Sequence, residues 1–488
     1  MSKETITDTD NLPVNYVERA IAATALTAEE TTKDLLSVMT VEAMQGTVVW
    51  DKNLTLTIEH AIDKIDELIS KQLTEVLHNP SFQKLEGSWM GLQKLVKNSD
   101  LGPQLKIKVI DYEQDELIDQ FESAPAIDRS RFFNLVYQEE YGTAGGEPFG
   151  AMLADYEFGY GDKDVSLLRY LAEVASASHA PLVTATRPEM FDYKGFETFA
   201  EGKPVAAGFD AKTYAAWNAF RASDDARYVG LTLPRTLARL PYGSTTVPVK
   251  SFAFEEFPLD KNHRPYPNSA TDFTWSNAAF EHGLLMTNAF TQYGWCTAIR
   301  GAENGGKVES LPNFTYFTDA GDLAQQCPTE VNFTDEREKE LSDLGFLPLV
   351  HYKNTNYAVF IGAQTAHKPK TYTDPDATAN AAISARLPYT MASGRIAQYL
   401  KVIGRDRLGS NLEATDVEKE LDTWIHQYVN PNAIGNDAKA QYPLAEAKVR
   451  VEEQVGKPGS YSAVAWLRPW LQMEELTTSL RMVARIPN

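Results

Sequence analysis

The sequence is poor in the residues that build metal and redox sites. Its 488 residues include only two cysteines, Cys296 and Cys327, and no CxxC pair. Two isolated cysteines cannot complete a tetrahedral zinc site, and we expect buried thiols there, with a disulfide between them as the alternative. The eight histidines are scattered and form no HxH or HExxH pair. We therefore predict no metal site and no cofactor.

Long apolar runs are also missing. No stretch approaches the roughly 18 apolar residues that a membrane-spanning helix needs. The first ten residues, MSKETITDTD, lack the apolar segment of a signal peptide. We therefore expect a cytoplasmic protein that does not insert into membranes.

Basic residues are outnumbered by acidic ones, 46 to 67, which gives a formal net charge of −21. Because phosphate binding needs a basic surface, this balance argues against nucleic acid as the main partner. It suits a soluble protein, or one whose acidic face meets a basic partner. The hydrophobic content of 43% is enough for cores in two or three domains.

One segment has the spacing of a cofactor-binding motif. Residues 301–307, GAENGGK, fit the GxxxxGK pattern of a phosphate-binding loop. Val308 stands where that loop needs a hydroxyl group for magnesium, and Pro312 interrupts the helix that should follow. A glycine-rich surface turn explains the segment better, and a nucleotide-dependent enzyme is the alternative. Asp155 and Glu157 would share a face of a strand, but nothing else supports a glycosidase pair.

Apolar periodicity predicts two helices near the N-terminus. Apolar residues recur at three- and four-residue steps over 57–78 and again over 82–96. Asn79 and Pro80 have the residue types of an N-cap and a first helical position, so they mark the start of the second helix. The run QLKIKVID at 104–111 is typical of a strand.

Strands and helices then alternate to about residue 300, which favours an α/β or α+β domain. The strands are expected at 149–157, 180–185 and 227–233, and the helices at 129–140, 163–178, 210–222 and 271–292. Beyond this region we expect a β-hairpin at 347–353 and 356–362, and over 376–408 either two helices or one helix kinked at Pro388. A further helix is expected at 413–429, and strands at 447–455 and 461–472.

The run TVVW at 47–50 has the composition of a strand but no neighbouring strand with which to form a hairpin. An unpaired strand must find a partner or remain an exposed edge. We therefore predict that this strand pairs with another subunit.

A series of short sequence motifs links the chain to a known family. They are GWCTAIRG at 294–301, PTEV at 328–331, GFLPLVHYKNTNYAVFIG at 345–362, KPKTY at 368–372, ATANAAISARLPY at 377–389 and IGRDRLGS at 403–410. Others are NPSFQKLEGSWMGLQKLV at 79–96, GEPFGAML at 146–153, RLPYG at 239–243 and LRPWLQMEEL at 467–476. In this order they resemble the large subunit of the contractile sheath of type VI secretion systems, the TssC/VipB family. The resemblance covers roughly residues 45–488.

The resemblance implies a mixed α/β (α+β) fold in three parts. An N-terminal extension at 1–55 carries a donated β-strand, a middle α/β sheath domain occupies 56–300, and a domain like that of phage tail sheaths occupies 301–488. A small partner subunit and exchanged β-strands are expected to complete the C-terminal domain. The family contracts and does not catalyse a reaction, so the resemblance implies a structural protein.

The resemblance also implies partners. They are a small sheath subunit (TssB/VipA-like), neighbouring copies of the chain, the hexameric inner-tube protein (Hcp-like), the baseplate, and an AAA+ unfoldase (ClpV-like) that recycles the contracted sheath. Contraction would drive the tube and its effectors into a target cell. A phage-like tail sheath protein is the nearer alternative, and the need for a small subunit separates the two because tail sheaths use one chain.

Three groups of residues are candidates for assembly. Strand exchange is expected at Thr47, Val48, Val49 and Trp50 and, in the terminal hairpin, at Val449, Val451, Ala463 and Ala465. The polar face of the 413–429 helix carries Glu413, Asp416, Glu420 and Asp422, which either face solvent or face the inner tube. Arg386, Arg395, Arg405 and Arg407 form either a solvated stripe with local ion pairs or a surface for an acidic neighbouring subunit.

Overall fold

The computed structural model describes most of the chain. The described residues are 37–38, 54–143, 145–201, 205, 209, 212–259, 267, 269–318, 321–406, 413–453 and 461–470. The predicted strand at 47–50 and Arg407 lie outside them. The described residues belong to two compact units, one built from residues up to Phe82 with Pro241–Asp272, the other from Gln83–Leu240 and the residues from Phe273 onward.

The helices are numbered here in chain order. They are α1 Leu54–Leu77, α2 Pro80–Asn98, α3 Gln114–Ser123, α4 (Arg131–Phe133, the π-helical Asn134–Gln138, and Glu139–Gly142), α5 Asp162–Ser178, α6 Ala215–Arg221, α7 Ala278–Tyr293, α8 Asp335–Asp343, α9 Pro375–Ser384, α10 Leu387–Asp406, α11 Ala414–His426 and α12 Asn436–Gln441.

The strands follow the same convention. They are β1 Met152–Phe158, β2 Leu182–Thr186, β3 Val229–Leu233, β4 Thr236–Leu237, β5 Trp275–Ser276, β6 Lys307–Val308, β7 Thr315–Phe317, β8 Leu323–Gln325, β9 Leu347–His351, β10 Ala358–Phe360, β11 Leu444–Glu453 and β12 Tyr461–Pro469.

In the first unit, α1 packs by one side only. Leu77 is buried there, as are Phe254 and Phe257 of the 241–272 segment. The His78 ring, just beyond the helix end, lies 6.1 Å from that of Phe257. Its Nε2 is 3.5 Å from Oε1 of the buried Glu256. Thr57 and Ala61 of α1 are buried as well, and most of the large apolar side chains of this helix are exposed.

A six-stranded sheet organises the second unit, in the order β1-β2-β3-β9-β10-β6. The first four strands are parallel, and β10 and β6 each run antiparallel to the strand before them in this order. β2 and β3 are buried along their whole length, whereas β1 at the edge is mostly half-exposed.

Two cores cover the two faces of this sheet, because successive side chains of a strand point to opposite faces. Leu182 belongs to the core that includes α5, and its neighbour Val183 belongs to the core that includes α7. On β9, Val350 belongs to the core that includes α5, and its neighbour Leu349 belongs to the core that includes α7. The sheet therefore lies between α5 and α7.

A third core joins α11 to the terminal hairpin. Its buried members include Leu421 and Ile425 of α11 together with Val449 and Val451 of β11. β11 and β12 pair with each other and with no other strand among the described residues.

Most predicted elements are confirmed. Ser81 N–H donates to Oδ1 of Asn79 at 3.0 Å, so Asn79 caps α2 with Pro80 at its first position, as the sequence predicts. The region 376–408 is two helices, with Pro388 near the start of α10. Cys296 and Cys327 are free thiols. No helix among the described residues is long and apolar enough to span a membrane.

Two features differ from the sequence-based expectation. Residues 104–111 were expected to be a strand, but they form none and pair with no strand of the described residues. The boundary expected between residues 300 and 301 lies inside the six-stranded sheet, because β6, β9 and β10 follow it in sequence.

A buried histidine gives the fold a predicted pH dependence. His282 of α7 is fully buried, 5.0 Å edge-on from the Phe360 ring, and neither ring nitrogen has a hydrogen-bond partner among the described residues. Burial lowers the pKa of His282 to about 4. Between pH 6.5 and 4 the unfolded chain therefore binds a proton that the native chain does not. This group's contribution to stability is present above that range and is lost as the pH falls through it.

We expect His282→Leu to reduce the fall in unfolding free energy between pH 6.5 and 5, by up to about 1.4 kcal/mol per pH unit. At pH 7.5 the variant should match the wild type to within about 1.5 kcal/mol, because no hydrogen bond is lost. Urea unfolding at both pH values measures this. A pH dependence identical to that of the wild type would refute the assignment, and His179, whose burial also lowers its pKa to about 4, should keep the remaining slope.

Candidate assembly surfaces

α2 is fixed to its own unit along one face by two glycines. A Cβ atom on Gly87 would lie 2.1 Å from the carbonyl oxygen of Trp275. One on Gly91 would lie 2.3 Å from Oγ of Ser276 and 2.4 Å from the Phe280 ring. Only glycine permits so close an approach between the helix and the chain around β5 and α7.

Ion pairs hold the same face. The Arg239 guanidinium makes a two-point contact with the Glu86 carboxylate, with its Nε 2.6 Å from Oε1. Lys94 Nζ lies 2.7 Å from Oε1 of Glu281, which is buried. Paired charges with this degree of burial fix the rotation of a helix more firmly than exposed pairs do.

The opposite face of α2 is apolar and exposed. Trp89 is 63% exposed and Leu85 is 56% exposed, and Phe82 and Val96 continue the stripe at helical spacing. The sequence predicts this stripe from its periodicity, which usually marks the face that enters a core. Here the face toward the core is the glycine face, and the stripe is presented to solvent.

Substituting one of the two glycines tests how α2 is held. We expect Gly87→Ala to lower the unfolding free energy by about 1–2 kcal/mol. The clash of the new Cβ atom with the backbone at Trp275 should cost about 1–3 kcal/mol. This exceeds the stabilisation that the higher helix propensity of alanine would provide. Gly102→Ala is the matched control, because a Cβ atom there meets nothing within 4 Å. Thermal unfolding measures both, and equal stability of the two variants would contradict the packing argument.

α1 also leaves its apolar stripe to solvent. More than a third of each of its large exposed side chains is accessible: Leu56, Ile62, Ile65, Leu68, Ile69 and Val76. Soluble monomers rarely expose apolar residues in such continuous rows. The stripe is therefore a second candidate contact surface.

The terminal hairpin is amphipathic. Val449 and Val451 of β11 are buried against α11, while Lys448 and Arg450 point away from it. On β12, Ala463 and Ala465 pair with Val451 and Val449 respectively. The opposite face of β12 exposes Val464 and Trp466.

The two outer edges of the hairpin differ. Val451 N–H donates to Oε2 of Glu418 at 2.9 Å, and Val449 N–H donates to Oδ1 of Asp422 at 3.4 Å. These amides therefore point away from β12, and carboxylates of α11 occupy the outer edge of β11. The outer edge of β12, at Ala463 and Ala465, makes no hydrogen bond to any described residue beyond the hairpin.

The predicted acidic residues of α11 have different surroundings. Glu413 and Asp416 are exposed, and Glu420 is half-buried. Asp422 faces β11 through one oxygen, and its other oxygen is 3.4 Å from Nδ1 of His426. Sequence reasoning did not single out Glu418, although its position one turn before Asp422 places both carboxylates on the same flank of the helix.

The described basic residues near α10 make contacts inside the chain. Arg395 donates to Oε1 of Gln398 at 2.8 Å and stacks over the Tyr399 ring. Arg405 donates to the Thr143 carbonyl oxygen at 3.1 Å. Arg386 lines a cavity of about 650 Å³ next to Trp470.

The loop at 301–307 does not have the geometry of a phosphate site. It leads into strand β6 at Lys307, where a phosphate-binding loop leads into a helix. Lys307 Nζ lies 2.7 Å from Oε1 of Glu309 and over the Tyr357 ring. Among the described residues no group of histidine, cysteine, aspartate and glutamate could hold a metal ion.

Comparison with known proteins identifies the family. Residues 59–367 match the family model described as EvpB/VC_A0108, tail sheath N-terminal domain, and residues 376–486 match the EvpB/VC_A0108 tail sheath gpW/gp25-like domain. The type VI secretion system sheath protein TssC1 of Pseudomonas aeruginosa is 41% identical over 466 residues, covering 94% of this chain and 92% of that protein. The chain belongs to the TssC/VipB family of type VI secretion sheath proteins. It is a structural component of a contractile sheath.

Two solved structures show a weaker likeness to this sheath protein. They are the cryo-EM structures of the anti-feeding prophage baseplate and of the helical sheath of that prophage in the contracted state. Their TM-scores are 0.33 and 0.28, with 12% and 11% identity. Each match covers 64% of this chain, and 64% and 65% of the matched chains respectively. The family assignment rests on the sequence comparisons.

Proposed function

We propose that the chain pairs with a small sheath subunit, polymerises around an inner tube and contracts to drive that tube and its effectors into a target cell. The observation that carries this proposal is the hairpin β11–β12, a two-stranded sheet with a packed face and two outer edges. An isolated two-stranded sheet is marginal in water, and strands added from other chains would complete it. The protein would act in the cytoplasm as a structural component and not as an enzyme.

The apolar stripes support a permanent partner. Leu85 and Trp89 on α2 are more than half exposed although the helix itself is held by buried ion pairs. Large exposed aromatic and aliphatic side chains of this kind are typical of obligate interfaces. We assign the α2 stripe to the small subunit and treat the α1 stripe as a further contact with it.

Strand exchange would connect the heterodimers. In this proposal two added strands flank the hairpin. One is the donated strand Thr47–Trp50 of a neighbouring copy, and the other comes from the small subunit. They would pair with the outer edge of β11 at Val449 and Val451 and with the outer edge of β12 at Ala463 and Ala465. Backbone pairing is directional and depends little on side chains, so subunits could rotate while their connections persist. A head-to-tail contact that does not close on itself produces a helical filament.

The parts of the chain would have different tasks. The extension at 1–55 would donate the strand, and the following domain would form the body of the sheath. We place the start of the tail-sheath-like domain between residues 367 and 376, where the two family models divide, because the six-stranded sheet crosses residue 300. The baseplate would initiate the sheath, and an AAA+ unfoldase would recycle it.

The outward side of α11 is proposed to face the inner tube. Asp416 and Glu420 lie there beside Lys419 and Trp424. Weak pairs of about 0–1 kcal/mol each would sum over many subunits to a firm but reversible contact. We expect Asp416→Lys with Glu420→Lys to leave the heterodimer intact and to impair polymerisation around the tube, as seen by electron microscopy. Normal sheaths from this variant would exclude α11 as the tube-facing helix.

A second charged surface is proposed to meet an acidic neighbouring subunit. Its residues are Arg386, Arg395, Arg405 and Arg407.

Co-expression tests the proposed function. The chain should co-purify with the small sheath subunit at equal stoichiometry, and the pair should form tubular polymers by electron microscopy. Polymers formed by this chain alone would instead favour a phage-like tail sheath. No complex and no polymer under either condition would overturn the proposal. ATP with magnesium should leave the thermal midpoint unchanged, since a rise would favour the nucleotide-dependent alternative.

A further inference from the structure

A cavity of about 650 Å³ lies at the base of the terminal hairpin. Its walls come from both parts of the chain that the two family models cover. Arg300 and Ile361 belong to the first part, and Lys439 and Trp470 belong to the second. A group held in this cavity would therefore fix the hairpin to the part of the chain that forms the six-stranded sheet.

The cavity is basic, although the whole chain has a formal net charge of −21. Arg300, Arg386 and Lys439 line it, and none of the described residues in its walls is acidic. Much of the remaining wall is apolar and includes Ile383 and Pro388. Cations beside apolar surface in a confined space favour a carboxylate that is carried next to apolar groups.

Trp470 is the last described residue, and it lies in the wall of this cavity. Its backbone N–H donates to the Pro443 carbonyl oxygen at 3.1 Å, so the end of β12 is tied to the start of β11. Lys439 Nζ lies 5.1 Å from the centre of the indole ring. The indole Nε1 is buried and donates to no described residue. The chain therefore leaves β12 at the cavity.

The residues that follow in the sequence, 471–476, read LQMEEL. An extended chain spans at most about 3.5 Å per residue, so Glu474 can lie no more than about 14 Å from Trp470. Side chains of an extended chain alternate, so Gln472 and Glu474 would point to the same side as Trp470. Glu475 would point to the opposite side. Chain connectivity thus brings one carboxylate close to the three cations of the cavity.

We propose that residues 471–476 dock in the cavity of their own chain, with the Glu474 carboxylate received by Arg386 and Lys439. A segment of the same chain is favoured over a separate ligand, because its covalent attachment gives it a high effective concentration at the site. The docked segment would be a latch that holds the terminal hairpin against the sheet-forming part of the chain. This inference does not require the proposed heterodimer, since every group in it belongs to one chain.

The latch gives Arg386 a different partner from the acidic neighbouring subunit proposed above. The two partners can be distinguished before assembly, because the latch forms within a single chain whereas a neighbouring subunit is present only in the polymer. Measurements on the unassembled full-length chain, co-purified with the small subunit where the two associate, therefore test the latch.

The rate of cysteine labelling in this unassembled chain tests the docking. Gln472→Cys places a thiol on the cavity side of the latch, and Glu475→Cys, the matched control, places one on the opposite side. We expect a maleimide to label position 472 at least about tenfold more slowly than position 475, because a covered thiol reacts only when the segment opens. Peptide mass spectrometry separates both sites from Cys296 and Cys327. Equal rates would overturn the proposal, as would slow labelling at 472 that appears only after polymerisation.

Charge reversal tests the role of the carboxylate. Adding Glu474→Lys to Gln472→Cys should raise the labelling rate at least about tenfold, whereas adding Glu475→Lys should leave it slow. A further reversal, Arg386→Glu or Lys439→Glu, should restore slow labelling and identify the cation that pairs with position 474. Rates that Glu474→Lys does not change, or that neither reversal restores, would refute carboxylate docking. Thermal unfolding checks that every variant is folded.

The outcomes also separate the latch from the proposed function. If Gln472→Cys is labelled rapidly while the chain and the small subunit form tubes, only the latch is wrong. If labelling at 472 is slow but no polymer forms under any condition, the proposed function fails and the latch stands.

Discussion

Sheath polymer should be lost in Val451→Pro while the heterodimer survives. The Val451 amide points to the outer edge of β11, where it donates to Glu418, so proline removes a donor needed by an added strand. The ladder between β11 and β12 uses the amides of the alternate residues and keeps its bonds. Electron microscopy of the co-expressed pair should show no tubes, and gel filtration should show the heterodimer.

Two further variants separate the lost amide from other effects of the substitution. Val451→Ala keeps the amide and removes part of a buried side chain, so it should lower stability by about 1–2 kcal/mol and still polymerise. Arg450→Pro removes an amide that points toward β12, so it should disrupt the hairpin itself. Tubes of normal appearance from Val451→Pro would show that the outer edge of β11 is not used in assembly.

Trp89→Ala should weaken binding of the small subunit at least about 30-fold, which corresponds to about 2 kcal/mol for a buried aromatic residue at the centre of an interface. The side chain is 63% exposed in the isolated chain, so its removal should leave the stability of the chain nearly unchanged. Titration with labelled small subunit measures the affinity, and thermal unfolding measures the stability.

Gln93→Ala is the matched control for Trp89→Ala. Gln93 is also exposed on α2, one turn after Trp89, but it has no apolar surface to bury. It should bind the small subunit as the wild type does. If both variants bind with wild-type affinity, the α2 stripe is not the interface, and the α1 stripe becomes the candidate.

Local signals in the sequence were sufficient for most elements. Asn79 and Pro80 mark the start of α2 because a cap and a fixed φ act within one turn. The alternation around Val449 and Val451 predicts the terminal hairpin, because one face of it packs inside this chain. In such cases the residues that determine an element lie within it or beside it.

Features that depend on a second chain could not be predicted in this way. The periodicity of α2 does not tell whether its stripe faces the chain's own core or solvent, and in the structure it is Gly87 and Gly91 on the opposite face that pack inward. The alternation at 104–111 predicts a strand, which is wrong for the described residues, because a strand needs a paired neighbour and none of them supplies one. Glu418 was missed because an acidic residue on an acidic helix has the pattern of a solvated face.

In the proposed assembly, the carboxylates of Glu418 and Asp422 would make the two edges of the hairpin differ in how readily they accept a strand. Unassembled subunits with two open edges would join at random as their concentration rises. With the outer edge of β11 occupied by the two carboxylates, pairing between free subunits would begin at the outer edge of β12. Growth would then have a direction, and subunits would remain dispersed until a strand in the correct register displaced the two side chains.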